Sequence, residues 1–315
     1  DVGKRYESYG WQVLTVHDGD SSLESLRIAI ERAQADLFRP TLIKVSTTIG
    51  FGSAKQGTAG VHGAPIGHAD LAAMKTSFGF DEKESFVVPD DVQQAFRAAG
   101  AAGTAKHAAW KALLAGYALK YPELAAEFER RRTGALPTGW REALSQITFD
   151  KPLATRQSSQ VVLNKLCEVM PELVGGSADL TPSNLTKFKG AADFQAASPE
   201  GRYIRFGVRE HAMAALCNGM LAYGFLRPFC ATFLNFFGYA AGAVRVSALS
   251  HFGVIYIATH DSIGLGEDGP THQPIEALLH LRATPNLLTI RPADAKEVVG
   301  AYMIAMDKST TPTVI

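Results

Sequence analysis

The sequence predicts an α/β fold in two domains, each with a parallel sheet flanked by helices. Short apolar runs alternate with helical periodicities along the chain, and the connections between them are short. The run VIYI at 254–257 is apolar, β-branched and aromatic, which is typical of a strand covered on both faces. A length of 315 residues is typical of about two domains.

The first part of the chain opens with one predicted βαβ unit, because a helical pattern at 22–35 lies between strand patterns at 10–16 and 40–47. A long glycine-rich loop follows at 50–67 and carries His62. Glycine-rich segments also serve as flexible linkers, but a histidine in an otherwise apolar-flanked loop favours a binding loop.

The middle of the chain is predicted to connect the two domains. Helical patterns occupy 90–97 and 105–132, and Pro122 interrupts the second of them. Few residues between 80 and 154 belong to the types that carry chemistry, so we expect the functional residues on either side of this segment.

The second half of the chain continues the alternation more regularly and predicts a parallel sheet covered by helices. Its predicted elements are a helix at 159–170, strands at 173–175 and 203–206, a helix at 209–223, a strand at 225–233, a helix at 234–250, a strand at 254–260, a helix at 274–283, a strand at 287–290, a helix at 293–307 and a strand in the final TPTVI. Ligands of such sheets bind outside the carboxyl ends of the strands.

The net charge and the cysteine content of the chain bear on its partners and its location. Lys plus Arg and Asp plus Glu both number 31, so the formal charge of zero does not favour nucleic acid or an anionic membrane. The three cysteines are sparse and have no metal-ligand spacing, which predicts reduced thiols and a cytoplasmic location, with an organellar address left open. The apolar region 231–249 is interrupted by Asn235 and Arg245, so we do not expect a membrane span.

Both ends of the sequence suggest that it is part of a longer polypeptide. The chain begins at Asp1, within what reads as the end of a helix, and stops as a strand begins. There is no Walker loop and no GxGxxG motif after a strand.

The segment 253–274, GVIYIATHDSIGLGEDGPTHQP, is the strongest candidate for a site. His260 and Asp261 close the predicted strand, Glu267 and Asp268 follow in a glycine-rich loop, and His272 stands where the next helix is predicted to begin. A polar loop with incidental titratable groups is the simpler interpretation. Two histidines and three acids at the carboxyl end of a strand favour a site.

Three further groups of residues each allow two interpretations. Glu210 could simply pair with a helix dipole, or its apolar helix could keep the carboxyl group protonated as a hydrogen-bond donor to a ring nitrogen. The aromatic cluster at 233–239 fits core packing or a pocket for a flat heterocycle. Arg156, Ser183 and His260 lie at predicted element ends, either as isolated surface residues or together on a phosphate.

The chain resembles the transketolase family over its whole length. The segments that carry the resemblance are VHGAP at 61–65, GGSADLTPSN at 175–184, GRYIRFGVREHAM at 201–213, TFLNF at 232–236 and ATHDSIG with GEDGPTHQP in the segment above. The resemblance implies an enzyme that uses thiamine diphosphate and a divalent metal, Mg²⁺ or Ca²⁺. It also implies a homodimer with active sites between subunits, and transfer of a two-carbon ketol unit from a ketose phosphate to an aldose phosphate.

The resemblance also implies a role for individual residues. Glu210 matches the glutamate that bonds the pyrimidine nitrogen of the cofactor, and Asp179 matches a residue of the same region. His62, His272 and Asp268 match groups that handle the substrate near its reacting carbons. The aromatic wall of the pyrimidine pocket is matched by Phe233, Phe236 and Tyr239, and an apolar contact of the cofactor is matched by Ile49. The phosphate-binding set is matched by Arg156, Ser183 and His260.

The chain departs from the family pattern in one respect: the segment that carries the family's metal ligands is not in this sequence, so we expect those ligands outside this chain. The resemblance predicts the C-terminal part of a diphosphate-binding domain at 1–118, which is incomplete here, a linker at 119–155 and a pyrimidine-binding domain at 156–315. Three alternatives stay open: dihydroxyacetone synthase, which uses the same chemistry with formaldehyde; a pyruvate-type thiamine enzyme without a phosphate site; and a non-catalytic dimerisation scaffold. A scaffold would not need Glu210, His62 or His272.

Overall fold

The computed structural model describes all 315 residues, which separate into two compact units, Asp1–Ala105 and Lys106–Ile315. The helices are α1 Val2–Ser8, α2 Leu23–Ala35, α3 His68–Ser77, α4 Asp90–Lys120, α5 Pro122–Arg132, α6 Trp140–Ser145, α7 Thr155–Val169, α8 Thr181–Asn184, α9 Glu210–Tyr223, α10 Phe237–Leu249, α11 Ala277–Ala283 and α12 Ala295–Asp307. The strands are β1 Gln12–Val16, β2 Thr41–Val45, β3 Leu173–Ser177, β4 Tyr203–Arg205, β5 Arg227–Phe233, β6 Ile255–Thr259, β7 Leu288–Thr289 and β8 Thr313–Val314.

The first unit contains the predicted βαβ arrangement. Strands β1 and β2 pair in parallel, and α2 packs against both of them. The Ser22 hydroxyl accepts a hydrogen bond from the Ser25 N–H and so caps the start of α2. Leu14, Val16 and Ala29 form a small buried core between the strands and this helix.

The second unit is built on a six-stranded parallel sheet with the order β4-β3-β5-β6-β8-β7. Strand β5 is buried at every residue, as a strand covered on both faces must be. The strands approach closely at Gly175, where an added Cβ would lie 2.0 Å from the Phe229 carbonyl oxygen. The prediction of an α/β fold with parallel sheets flanked by helices is therefore confirmed.

Helices pack on both faces of this sheet. On one face, α7 and α12 contribute Leu163, Leu166 and Tyr302 to a buried cluster. On the other face, α9 and α10 contribute Met213 and Val244. Burial of this apolar area is the main stabilising contribution to the unit. None of the helices combines the length and the hydropathy that crossing a membrane requires.

Two features of the middle of the chain differ from the sequence-based expectation. The helical patterns at 90–97 and 105–132 were expected to be separated, but α4 continues through Gly100 and Gly103 because the alanines around them have the highest helix propensity. Helix α3 was not predicted. Its Asp70 accepts hydrogen bonds from the Ser53 hydroxyl and the Ala54 N–H, which ties the glycine-rich loop to the helix. The domain boundaries inferred from the resemblance stay a prediction.

Candidate active site

The site lies at the carboxyl ends of the central strands of the second unit. The chain passes from β3 outward to β4 and then returns across β3 to β5, so the strand order reverses between β3 and β5. In open parallel sheets, ligands bind at such a reversal. Ser177, Phe233 and Thr259 end β3, β5 and β6 respectively, and His260 follows directly.

His260 and Arg156 form the polar centre of this edge. The Arg156 Nη1 lies 2.9 Å from the His260 Nε2, and the other ring nitrogen lies 2.8 Å from the Thr259 hydroxyl. His260 has a left-handed backbone, with φ of 55°, which costs a non-glycine residue about 1 kcal/mol. This backbone conformation forms the turn after β6 and directs the His260 ring toward Arg156.

The electrostatics of this centre keep the imidazole neutral. Burial lowers the pKa of His260, and the Arg156 charge lowers it further. The carboxylates of Asp268 and Asp261 act in the opposite direction, but they do not reverse the shift. Arg156 is therefore a fixed positive charge that faces an uncharged ring.

A cavity of about 250 Å³ opens beside this pair. Arg156, His260 and Arg291 line it, and Ile257 and Val298 contribute apolar wall. Arg291 donates a hydrogen bond to Asp261 at 2.5 Å, so its charge is partly neutralised, whereas Arg156 has no carboxylate partner. A cation without an acidic partner in a concave site can bind an anionic group of a ligand.

Aromatic rings extend the site away from the cavity. The Phe233 ring stacks on His260 at 3.8 Å between centroids and lies nearly parallel to Phe236 at 5.6 Å. His272 meets the edge of Phe236 at 4.9 Å. Tyr239 is 71% exposed and lies 6.4 Å from Phe236. Phe233 thus serves the core, while Phe236 and Tyr239 face outward and can contact a flat ligand.

Hydrogen bonds hold the loop after His260 against the end of β5. The Asn235 Nδ2 donates to the Thr271 carbonyl at 2.6 Å, and the Gln273 Nε2 donates to the Gly266 carbonyl. These contacts hold the segment before α11 out of a helix, so the helix predicted at 274–283 begins later, at Ala277. His272 is therefore a loop residue that rests on Phe236.

Glu210 is the first residue of α9, which follows the carboxyl end of β4 at the same edge of the sheet. The residue is 9% exposed, and its carboxyl oxygens, which have no side-chain hydrogen bond within the chain, still reach solvent. An accessible carboxyl group without a partner in the chain can bind a nitrogen of a ligand ring.

The remaining predicted site residues do not contact Arg156 or His260 directly. Ser183 is half-buried in α8, and Asp179 is exposed with a left-handed backbone near Arg205. Asp268 is exposed and acts on His260 only through its charge. Ile49 and His62 belong to the first unit, where both are exposed.

Sequence reasoning missed a buried chain of polar groups behind His260. The Ser177 hydroxyl donates to the Asn184 Oδ1 at 3.0 Å, and the Asn184 Nδ2 donates to the Thr259 Oγ1 at 2.9 Å. Each residue is common in strand ends and short helices, so only the tertiary structure reveals the connection. No group of three or more His, Cys, Asp or Glu side chains is arranged to hold a metal ion.

Two family models match the chain. The model described as "Transketolase, thiamine diphosphate binding domain" matches residues 1–137. The model described as "Transketolase, pyrimidine binding domain" matches residues 151–315, which include all of the contacts around His260.

Individual relatives agree with these matches. The chain is 51% identical to a transketolase of Scheffersomyces stipitis over 322 residues, and it is 51% identical to transketolase 2 of Saccharomyces cerevisiae over 323 residues. The alignments include 100% of this chain but 48% and 47% of the two relatives. The chain thus spans about half the length of the curated relatives it matches.

Solved structures show the same fold. A transketolase from Pichia stipitis in complex with sedoheptulose 7-phosphate superposes with a TM-score of 0.93 at 51% identity, over 100% of this chain and 48% of that one. A transketolase from Leishmania mexicana gives a TM-score of 0.92 at 49% identity, over 99% of this chain and 46% of that one.

Proposed function

This chain belongs to the transketolase family, and from that premise we propose that it is part of an enzyme that transfers a two-carbon ketol unit from a ketose phosphate to an aldose phosphate. The observation that carries the proposal is Glu210, a residue only 9% exposed whose carboxyl group reaches solvent and has no hydrogen-bond partner in the chain. A largely enclosed acidic residue whose oxygens have no partner in the chain is available to a ligand group that donates a hydrogen bond.

We propose that Glu210 binds a ring nitrogen of thiamine diphosphate, with Phe233, Phe236 and Tyr239 as the aromatic wall. The residues fit such a ring because Phe236 and Tyr239 present aromatic surface outward at the same edge of the sheet. When bound, thiamine diphosphate stabilises a carbanion, which is what moving a ketol unit requires. The chain's own contribution is to hold and orient the ring.

Arg156 supports a phosphate-bearing substrate. Its guanidinium has no carboxylate partner and lines the cavity of about 250 Å³ beside His260. Ser183 belongs to the short helix whose Asn184 connects to Thr259. We therefore propose that these residues bind the substrate phosphate through charge-assisted hydrogen bonds. The sedoheptulose 7-phosphate bound to a relative is a ligand of this kind.

Three further residues are proposed to act on the sugar end of the substrate. We propose that Asp268 bonds a substrate hydroxyl, and that His272 and His62 handle protons on substrate oxygens. His272 is supported by its position against Phe236. His62 and Ile49 are exposed residues of the first unit, available for a substrate and an apolar cofactor contact respectively. Asp179 is proposed for the pyrimidine region.

A second copy of the chain is the proposed protein partner, with the active site at the subunit interface. Exposed apolar side chains support this assignment: α9 exposes Leu216 and Tyr223, and α10 exposes Val246 and Leu249. Apolar surface of this kind is typical of interfaces. We further propose Mg²⁺ or Ca²⁺ as the companion of the diphosphate, and a reducing compartment for the three free, buried cysteines.

The proposal is tested with a chimera in which this chain replaces the matching part of the Scheffersomyces stipitis transketolase. We expect the chimera to transfer a ketol unit from sedoheptulose 7-phosphate to an aldose phosphate and to require thiamine diphosphate. A folded, dimeric chimera without transfer would contradict the proposal. Activity with formaldehyde alone as acceptor would indicate dihydroxyacetone synthase, and cofactor binding without any turnover would indicate a scaffold.

A further inference from the structure

The contact between Arg156 and His260 fixes where the imidazole carries its hydrogen. A guanidinium has only N–H donors and stays charged in proteins. The His260 Nε2, which lies 2.9 Å from the Arg156 Nη1, must therefore offer its lone pair. The hydrogen of the neutral ring is then on Nδ1, which is 2.8 Å from the Thr259 hydroxyl oxygen.

Two buried side chains behind the ring stabilise this arrangement. The Thr259 Oγ1 accepts from the His260 Nδ1–H and also from the Asn184 Nδ2 at 2.9 Å. The single hydrogen of the Ser177 hydroxyl is shared between the Asn184 Oδ1 at 3.0 Å and the Ala231 carbonyl at 3.1 Å, and the amide N–H of Asn184 points toward Thr259. Asn184 is 0% exposed and Ser177 is 1% exposed, so water does not compete for these hydrogen bonds.

The arrangement has a consequence for an anion that enters the cavity. A phosphate dianion or a sulfate ion only accepts hydrogen bonds, so it is repelled by the Nε2 lone pair. Because the Nδ1 hydrogen is held by Thr259, the ring can donate to the anion only after Nε2 has gained a proton. We propose that Thr259 and Asn184 are positioning residues that couple anion binding beside Arg156 to uptake of one proton by His260.

The proton comes from solvent and forms the Nε2–H bond, while the Nδ1–H bond to Thr259 is kept. Taking the anion to be the substrate phosphate rests on the proposed function. The charged groups around the ring are Arg156 on α7, and Asp261, Asp268 and His272 in the loop after β6. Arg291 after β7 is paired with Asp261. An arriving anion adds the negative charge that stabilises an imidazolium here.

The test uses the whole chain labelled with ¹⁵N and sulfate as the probe, because sulfate keeps its charge across the neutral pH range. His260 is identified by comparison with His260→Gln. Without sulfate, the ¹⁵N shifts should show hydrogen on Nδ1 and a bare Nε2, and saturating sulfate should protonate both nitrogens at neutral pH. A free ring with its hydrogen on Nε2, a ring that stays neutral when sulfate saturates the site, or no response to sulfate would each overturn the proposal.

Three threonine variants separate positioning from general structure. Thr259→Val keeps the shape of the side chain but removes the acceptor, so we expect the Nδ1–H state and the proton uptake to be lost. Thr259→Ser should preserve both. Thr289→Val is the matched control, since the Thr289 hydroxyl lines the same cavity and has no hydrogen-bond partner. Unchanged proton uptake in Thr259→Val would contradict the role of Thr259.

These measurements need neither cofactor nor turnover. If Thr259→Val does not fold, the tautomer and the proton uptake of the unmodified chain still decide the proposal. A chimera without ketol transfer would overturn the proposed function and leave the state of His260 unchanged. A wrong tautomer would overturn the present inference and leave the transfer activity unaffected.

Discussion

Arg130 and Arg156 lie near opposite ends of the six-stranded sheet and differ in how many of their N–H donors are hydrogen-bonded. At the amino end, Arg130 uses all five of its N–H donors on Glu127, Glu172 and the Ala135 carbonyl. At the carboxyl end, Arg156 makes one hydrogen bond, to the His260 ring, and Glu210 makes none.

We interpret this difference as a division between an end that stabilises the fold and an end that is available to a ligand. Glu172 directly precedes β3 and is 6% exposed, so its two bonds to Arg130 remove the cost of burying its charge. No residue of the chain does the same for Glu210. The buried Arg227 Nε at the amino end also has no partner, so the distinguishing feature of the proposed site is that the incompletely paired groups of Arg156 and Glu210 stay accessible to a ligand.

The largest effect is expected from Glu210→Gln in the chimera. The amide keeps the size of the side chain but cannot exchange a proton with a ring nitrogen, so turnover should fall by about 100-fold or more. The assay is ketol transfer at saturating cofactor, with circular dichroism as the check on folding. Glu200→Gln, which changes an exposed acid in the loop before β4, is the control and should retain its activity. Near-normal turnover in Glu210→Gln would remove Glu210 from the site.

Removing the arginine at the other end should affect stability instead. Arg130→Met leaves the buried Glu172 without its partner, which should lower the free energy of unfolding by about 3 kcal/mol. The measurement is the urea midpoint of the chain. In Arg132→Met, the lost pair with Glu129 is half exposed on both sides, and the expected change is below about 0.5 kcal/mol. Equal urea midpoints for the two variants would contradict the stabilising role of the Arg130–Glu172 pair.

Arg156→Met should change substrate binding more than turnover. Losing one charge-assisted bond to the phosphate should raise the KM for phosphorylated donors by about tenfold or more, with a smaller effect on kcat. An unphosphorylated ketose serves as the internal control, because its KM should not change. If the KM values for both donors rise together, Arg156 does not bind the phosphate.

The smallest predicted effect is a pH dependence of stability at the amino end. Hydrogen bonds from Arg130 hold the pKa of Glu127 at about 2, well below the ordinary 4.5. A lowered carboxyl pKa stabilises the folded state above pH 4.5, and this contribution is lost as the pH falls from 4.5 toward 2. The urea midpoint should decline over that range, and the decline should be less steep in Glu127→Gln.

Much of this fold was predictable because strand and helix patterns are local. The run at 254–257 identified β6, and the helix at 209–223 differs from α9 by one residue. The start of α11 was not predictable, because hydrogen bonds from Asn235 and Gln273 hold the preceding segment in turns. Sequence patterns do not report such tertiary contacts.

In the candidate site, too, local patterns were predictable from the sequence and tertiary contacts were not. Arg156, His260, Phe233 and His272 were predicted, and the structure brings them together. The chain of Ser177, Asn184 and Thr259 was not predicted, because its members come from three separate elements and are ordinary residues one at a time. A useful signal would have been polar residues that end two neighbouring buried strands, as Ser177 and Thr259 do.

The most direct test of the central claim measures turnover and the urea midpoint together in two chimeras, Glu210→Gln and Arg130→Met. The account predicts opposite outcomes: Glu210→Gln loses turnover and keeps its midpoint, whereas Arg130→Met loses stability and keeps its turnover per folded molecule. A Glu210→Gln chimera that keeps its turnover, or one destabilised as much as Arg130→Met, would contradict the division of roles between the two ends of the sheet.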